Sequence, residues 1–291
     1  MMNLGWNAYD SDLASEQHVN AVMVRKPAIV RWIVSIDRHA RTGATPWDAV
    51  YGAAFAALAE AETKLVIQLG MKSPDWTAGD WPGDQGCARW KAGPRSGWFA
   101  DTADWLGFVE ALDDALPARL SGGRTIWGCW NEPDWRNAWL WQSRTTPVTE
   151  WQTGKLLWWT CPPSHFMGWT GGYARLRNMR LLADRCWSSD GVAVDSGAWP
   201  GLVRADSTIG VIDVHSYQGP SERQHVDWVR RHIDEMADGR PFFVGEYGED
   251  ALGSPGDVTR AGRVSDRLAA DYGDRFLGLA THFKPQLWRQ P

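Results

Sequence analysis

The chain has 291 residues, of which 44% are hydrophobic and 22% charged, and its formal net charge is -5. This composition supplies enough apolar material for a large core and is ordinary for a soluble globular protein. The acidic balance, with no basic stripe, argues against a nucleic-acid-binding protein. The most apolar segment, 28–36, is interrupted by Arg31 and is too short to span a bilayer.

Apolar runs alternate with helical patterns from one end of the chain to the other. Their continuous Val, Ile, Leu and Trp character is typical of parallel strands that are covered on the outside. The predicted strands are 3–8, 28–36, 64–70, 125–130, 191–196, 210–215, 241–246 and 276–282. The predicted helices are 45–62, 105–116, 173–187, 221–239 and 257–272. Eight strands in this alternation predict an α/β protein, a (β/α)8 TIM barrel that forms a single domain over 1–291.

Two connections are long and rich in Trp, Pro and Gly, namely 71–98 after the third strand and 133–170 after the fourth. Active sites of such barrels lie on the face that carries these loops, so the pattern predicts a walled cleft. Many of the 21 tryptophans lie here, where they can build a small local core or stack on sugar rings. Only 283–291 follows the eighth strand, so we expect the last helix to be incomplete or missing, which hints at a neighbouring domain or subunit on that side.

The four cysteines show no CxxC spacing, and no metal site or cofactor is expected. Cys129 lies in a predicted strand and Cys186 in a predicted helix, so both are interpreted as buried thiols. Cys87 and Cys161 lie in the long loops and could form a disulfide in an oxidising compartment. The N-terminus shows no signal peptide, which leaves a cytoplasmic, secreted or phage-associated location open.

Two glutamates carry the strongest functional signal. Glu132 stands in Trp130-Asn131-Glu132-Pro133, and Glu246 stands in Val244-Gly245-Glu246-Tyr247. Each follows a short apolar run, so each carboxylate is expected at the carboxyl end of a strand. Two carboxylates that face one another across a cleft are what hydrolysis of a sugar linkage requires. Glu132 alone could also be a helix-capping or ion-paired acid, and Glu249 is expected to be solvated.

Several strand ends together resemble those of the clan A retaining glycoside hydrolases. The resemblance rests on the Asn-Glu-Pro of the fourth strand, the glutamate of the seventh, and Asp213-Val214-His215-Ser216-Tyr217 of the sixth. The segment 66–76, which ends in Ser73-Pro74-Asp75-Trp76, is similar to the third strand of family 39 and family 5 members. Family 39 is the first choice and family 5 the second.

This resemblance implies roles for individual residues. Glu132 is expected to be the general acid and base, and Glu246 the nucleophile. The implied substrate-binding residues are Asn131, His215, Tyr217, Arg31, Trp76, Trp135, Trp199 and His282. Tyr217 or His215 would orient Glu246, and Arg31 would help to keep it charged. His215 could instead be a core histidine and Arg31 a structural ion-pair partner; Asp213 has the pattern of a structural residue.

The expected function is a retaining glycosidase that acts on an oligosaccharide or polysaccharide. Two alternatives use the same features. One is a non-catalytic carbohydrate-binding barrel within a larger surface or particle assembly, which the tryptophan-rich loop would serve equally well. The other is a transglycosidase, in which a sugar instead of water accepts the glycosyl unit.

Overall fold

In the computed structural model, eight parallel strands close into a barrel, which confirms the predicted (β/α)8 fold. Each strand pairs with the next one along the chain, and the first pairs with the last. The strands are β1 (Leu4–Tyr9), β2 (Ile29–Val34), β3 (Lys64–Leu69), β4 (Ile126–Gly128), β5 (Cys186–Ser188), β6 (Ile209–Tyr217), β7 (Phe242–Gly248) and β8 (Phe276–Thr281).

The structure describes residues 3–34, 46–69, 102–121, 123–129, 147–149, 156–158, 176–177, 180–192, 199–248 and 258–281. The two tryptophan-rich connections lie largely outside these ranges, apart from an antiparallel pair formed by Pro147–Thr149 and Leu156–Trp158. The segment after the eighth strand, with the expected gap in the outer ring, also lies outside them. So do Cys87 and Cys161.

Helices follow the strands on the outside of the barrel. They are α1 (Asp10–Leu13), α2 (Glu16–Arg25), α3 (Trp47–Glu60), α4 (Thr102–Asp114), α5 (Trp199–Ala205), α6 (Glu222–Met236) and α7 (Val258–Tyr272). Ser221 caps the start of α6, since its hydroxyl accepts a hydrogen bond from the Gln224 amide. Val226, Val229, Ile233 and Met236 recur at helical spacing and form the buried face of α6 that packs against the barrel.

The barrel interior is built in layers. A cluster made only of strand residues forms an apolar layer, because alternate side chains of a strand face the same side. This layer consists of Ile29, Val66, Ile126, Val211, Phe243 and Ala280. Two residues further along β2, β3 and β6 stand Arg31, Gln68 and Asp213, all fully buried. A polar layer therefore lies on the apolar one, toward the carboxyl ends of the strands.

The prediction for the fifth strand was wrong. Strand β5 is Cys186–Ser188 and overlaps the end of the predicted helix 173–187; the helical residues described before it are 176–177 and 180–182. Cys186 is therefore in a strand and not in a helix. Asp190 and Gly191 adopt left-handed backbone angles, with φ of 70° and 79°. They therefore break the extended conformation at the start of the predicted strand 191–196. Within that predicted range, Val192 pairs with β6 at an isolated bridge to Val214.

Two buried histidines are expected to make the stability of the fold depend on pH. Burial lowers the pKa of His18 and of His225 from 6.5 to about 4. Because the unfolded chain binds more protons than the folded protein between these values, we expect the free energy of unfolding to fall as the pH drops from 6.5 to about 4. A shift of this size corresponds to roughly 3 kcal/mol per histidine at most. Urea unfolding across this pH range measures the effect.

The control is His225→Gln, in which this position no longer titrates. We expect a shallower pH dependence for this variant between pH 6.5 and about 4. A wild-type unfolding free energy that stays constant over that range would contradict the prediction.

Candidate active site

The guanidinium of Arg31 lies at the centre of the polar layer. Its Nη1 donates to Oε1 of Glu246 at 2.8 Å and to Oδ1 of Asn7 at 3.1 Å. Its Nη2 donates to Oε1 of Gln68 at 3.3 Å. Arg31 is fully buried, and these partners come from strands β1, β3 and β7. One cation thus joins three strands near their carboxyl ends.

Glu246 is held from two sides. Arg31 binds one carboxylate oxygen, and the Tyr217 hydroxyl donates a short hydrogen bond to the other. Nδ1 of His215 lies 3.6 Å from that second oxygen. Glu246 is only 5% exposed. A cation and a phenol that both stabilise its negative charge are the environment of a carboxylate that must stay ionised.

Strand register explains why these side chains meet. Parallel pairing sets His215 opposite Glu246, after a register shift between Val214 and His215. Tyr217 is the last residue of β6, so its long side chain can turn toward the neighbouring strand. The structure therefore brings together four residues that the sequence singled out, namely Arg31, His215, Tyr217 and Glu246.

Asp213 is a second carboxylate beside the same cation. Its Oδ2 lies 3.5 Å from Nε of Arg31, and its Oδ1 lies 3.6 Å from Nε2 of His215. Asp213 is fully buried. A β-carbon added at Gly245 would stand 2.1 Å from its Oδ1, so the residue before Glu246 has to be glycine for this carboxylate to fit. Arg31 therefore neutralises two carboxylates.

A histidine on α6 supports the strand end that carries Tyr217. Nε2 of His225 faces the carbonyl oxygen of Gly219 at 2.8 Å, and Nδ1 lies 2.8 Å from the Ser216 hydroxyl. A carbonyl only accepts, so Nε2 donates its hydrogen, and Nδ1 of the neutral ring accepts from Ser216. The ring also packs on Tyr247, with centroids 4.4 Å apart. The residues next to Tyr217 and Glu246 are thus fixed by one side chain.

A separate buried cluster supports the end of β4. Arg180 donates to Asp190 and to Asp206, each at 2.9 Å. The other oxygen of Asp190 accepts the backbone N–H of Cys129, the residue directly after β4. Burial raises the pKa of the Cys129 thiol well above its ordinary value, and the charge of Asp190 adds to the effect. Cys129 is therefore a neutral buried thiol, as the sequence predicted.

For the other predicted site residues, the structure describes either nothing or only the backbone. Asn131, Glu132, Trp76, Trp135 and His282 lie outside the described residues, and Trp199 begins α5 with only its backbone described. Conversely, Asn7 and Gln68 were not singled out from the sequence, although both bind Arg31. Their signal was a polar residue at an inward position of an otherwise apolar strand.

The described residues contain no group of three His, Cys, Asp or Glu side chains that could hold a metal ion. Among the helices in those same ranges, none is long and apolar enough to cross a membrane.

Solved structures with the same barrel include several whose names state an activity on sugars. A GH30 endoxylanase from Clostridium papyrosolvens C71 has a TM-score of 0.59 and 12% identity, and the match covers 97% of this chain and 64% of that one. A β-glucosidase from Pyrococcus furiosus has a TM-score of 0.55 and 10% identity, covering 96% and 85% of the two chains. A GH10 endoxylanase from a sugarcane soil metagenome has a TM-score of 0.53 and 13% identity, covering 96% and 84%.

The chain thus spans less than two thirds of the length of that GH30 endoxylanase, and 63% of a family 30 xylanase from Clostridium acetobutylicum. No sequence model of a protein family matches the chain, and no curated protein matches it in sequence. At such low identities, the likeness to solved structures establishes the barrel fold.

Proposed function

We propose that this chain is a retaining glycoside hydrolase that cleaves O-glycosidic bonds of an oligosaccharide or polysaccharide. Glu246 acts as the nucleophile and Glu132 as the general acid and base. The observation that carries the proposal is the environment of Glu246: a nearly buried carboxylate at the carboxyl end of β7, bound by Arg31 and by the Tyr217 hydroxyl. A cation and a hydroxyl donor keep such a carboxylate ionised and oriented, as a nucleophile requires.

The reaction proceeds in two displacements. In the first, an oxygen of Glu246 forms a bond to the anomeric carbon while the bond from that carbon to the leaving oxygen breaks. The leaving oxygen keeps the electron pair and takes a proton from Glu132. In the second, Glu132 removes a proton from water, which attacks the anomeric carbon and releases Glu246 as a carboxylate. Two inversions give net retention, which requires carboxyl groups about 5–5.5 Å apart.

Further residues are assigned to substrate binding. Tyr217 and Arg31 both touch the nucleophile, so they also limit the directions from which the anomeric carbon can approach. His215, Asn131, Trp76, Trp135, Trp199 and His282 complete the proposed sugar-binding set. Asn131 would contact the 2-hydroxyl, and the tryptophans would offer flat faces to sugar rings.

The endoxylanases and β-glucosidase among the barrels of similar fold support a glycosidase at the level of the fold. Fold alone does not fix function, so the argument rests on the site. Membership of family 39, with family 5 as second choice, stays a prediction from the strand-end motifs.

A non-catalytic carbohydrate-binding barrel is the main alternative. Binding a sugar by stacking and hydrogen bonds does not need a carboxylate held against a buried guanidinium, and burying such a pair is costly. The arrangement around Glu246 therefore favours the enzyme. A transglycosidase would use the same residues, with a sugar as the acceptor in the second step.

Replacement of the proposed nucleophile tests the mechanism directly. A screen of 2,4-dinitrophenyl glycosides first identifies a substrate of the wild-type protein. For Glu246→Ala, we expect kcat on this substrate to fall on the order of 10⁴-fold or more, because no glycosyl-enzyme can form. Added azide should restore cleavage by attacking the anomeric carbon directly. NMR should then detect a glycosyl azide of inverted configuration.

The matched control is Glu249→Ala, which removes a carboxylate three positions further along. This variant should keep near wild-type activity. Wild-type turnover in Glu246→Ala, or the same loss in both variants, would count against the assignment of Glu246.

Replacement of the proposed acid and base has a different expected signature. For Glu132→Ala, substrates with poor leaving groups should lose on the order of 10²-fold or more in kcat/KM, since they need protonation of the leaving oxygen. The 2,4-dinitrophenyl glycoside should lose little in that first step. Azide should now intercept the glycosyl-enzyme and give a glycosyl azide of retained configuration. A loss that is equal for good and poor leaving groups would assign Glu132 another role.

A further inference from the structure

Asp213 is a buried carboxylate that takes no part in the proposed reaction. Its carboxylate is fully buried, and among the described residues neither of its oxygens accepts a hydrogen bond. Its neighbours are cationic or can become so: Arg31 at 3.5 Å and His215 at 3.6 Å. Burial of a carboxylate without hydrogen bonds is costly, so a close positive charge has to offset the cost.

In the resting site, the positive charge of Arg31 faces two negatively charged side chains. Arg31 lies between Asp213 and Glu246, so two carboxylates share one guanidinium. An Arg31 that served only to hold Glu246 would need no second anion, and the two carboxylates repel one another. Gly245, directly before Glu246, has no side chain and so leaves space for the Asp213 carboxylate. The backbone beside Glu246 is therefore compatible with a second carboxylate next to Arg31.

The balance changes during the proposed reaction. When Glu246 becomes a glycosyl ester, it loses its negative charge. Arg31 is then a buried cation whose first carboxylate partner is neutral, and removing one partner of a buried ion pair is strongly unfavourable. Asp213 does not react, so it remains beside Nε of Arg31 as a carboxylate.

We propose that Asp213 is the counter-ion that keeps Arg31 neutralised while Glu246 is esterified. It is a positioning residue, acting through Arg31, and it lowers the energy of the covalent intermediate relative to the resting enzyme. This inference rests on the proposed function, because it presupposes that Glu246 forms an ester.

Asp213→Asn is the sharpest test, since it removes the charge and keeps the shape. The repulsion between Asp213 and Glu246 is then gone while Arg31 keeps its ion pair with Glu246, so thermal stability should equal or exceed that of the wild type. In the glycosyl-enzyme the positive charge of Arg31 then lacks the carboxylate of Asp213, so formation of the ester should slow and its hydrolysis should quicken. With the 2,4-dinitrophenyl glycoside found by the screen, we expect kcat/KM to fall about tenfold or more. Intact-mass measurement after rapid quenching should find a smaller fraction of glycosyl-enzyme at steady state.

Asp10→Asn is the matched control. Asp10 is also buried, and its carboxylate accepts a hydrogen bond from the Trp32 indole N–H at 2.9 Å. Asp10 belongs neither to the proposed catalytic pair nor to the proposed sugar-binding set. This variant should lose thermal stability and keep the wild-type fraction of glycosyl-enzyme.

Arg31→Gln provides a second, independent test. In that background the cation is gone, so adding Asp213→Asn should cause no further fall in kcat/KM. Separate additive losses would overturn the proposal.

Other outcomes also decide. If Asp213→Asn unfolds more easily than the wild type, or loses activity with an unchanged glycosyl-enzyme fraction, Asp213 has a structural role only. Wild-type kinetics in Asp213→Asn would equally refute the counter-ion role. If the wild type forms no glycosyl-enzyme, or Glu246→Ala stays fully active, the proposed function itself fails, and that failure is seen before any Asp213 variant is made.

Discussion

A single buried guanidinium organises the mouth of this barrel. Arg31 carries its charge into the interior and reaches side chains on β1, β3, β6 and β7. Burying such a charge is costly, and the cost is offset only by paired carboxylates and hydrogen bonds. Each partner therefore has to stay in place, which fixes the relative positions of the strand ends and, through them, the orientation of Glu246.

Much of the fold follows from the chain's own patterning. Continuous apolar runs predicted eight parallel strands, and seven of them are observed where they were expected. The fifth strand was misplaced because its local sequence signal is weak. Strand β5 has only three residues, and the left-handed backbone of Asp190 and Gly191 ends the extended conformation just after it. Asp190 is held there by Arg180 and by the backbone of Cys129, contacts that no local pattern contains.

The site could be predicted only in part, for a related reason. Glutamates at strand ends are visible in sequence because a short apolar run precedes each. Asn7 and Gln68 are single polar residues within apolar strands, and a polar residue there has the same local pattern whether it is structural or functional. Their meaning comes from Arg31, which lies 24 positions from Asn7 and 37 from Gln68. Only closure of the barrel brings the three together.

The two strand ends that carry the proposed reactive carboxylates are supported in different ways. At β6 and β7 the support is a neutral histidine, His225, which binds Ser216 and Gly219 and packs on Tyr247. At β4 it is a charged carboxylate, Asp190, which holds the last described residue before the Asn-Glu-Pro motif. Both supports are buried and hydrogen-bonded, so neither end can shift without breaking internal bonds. A reaction that needs two carboxylates at a fixed separation gains more from such rigidity than sugar binding alone, in which side chains can adapt to the ligand.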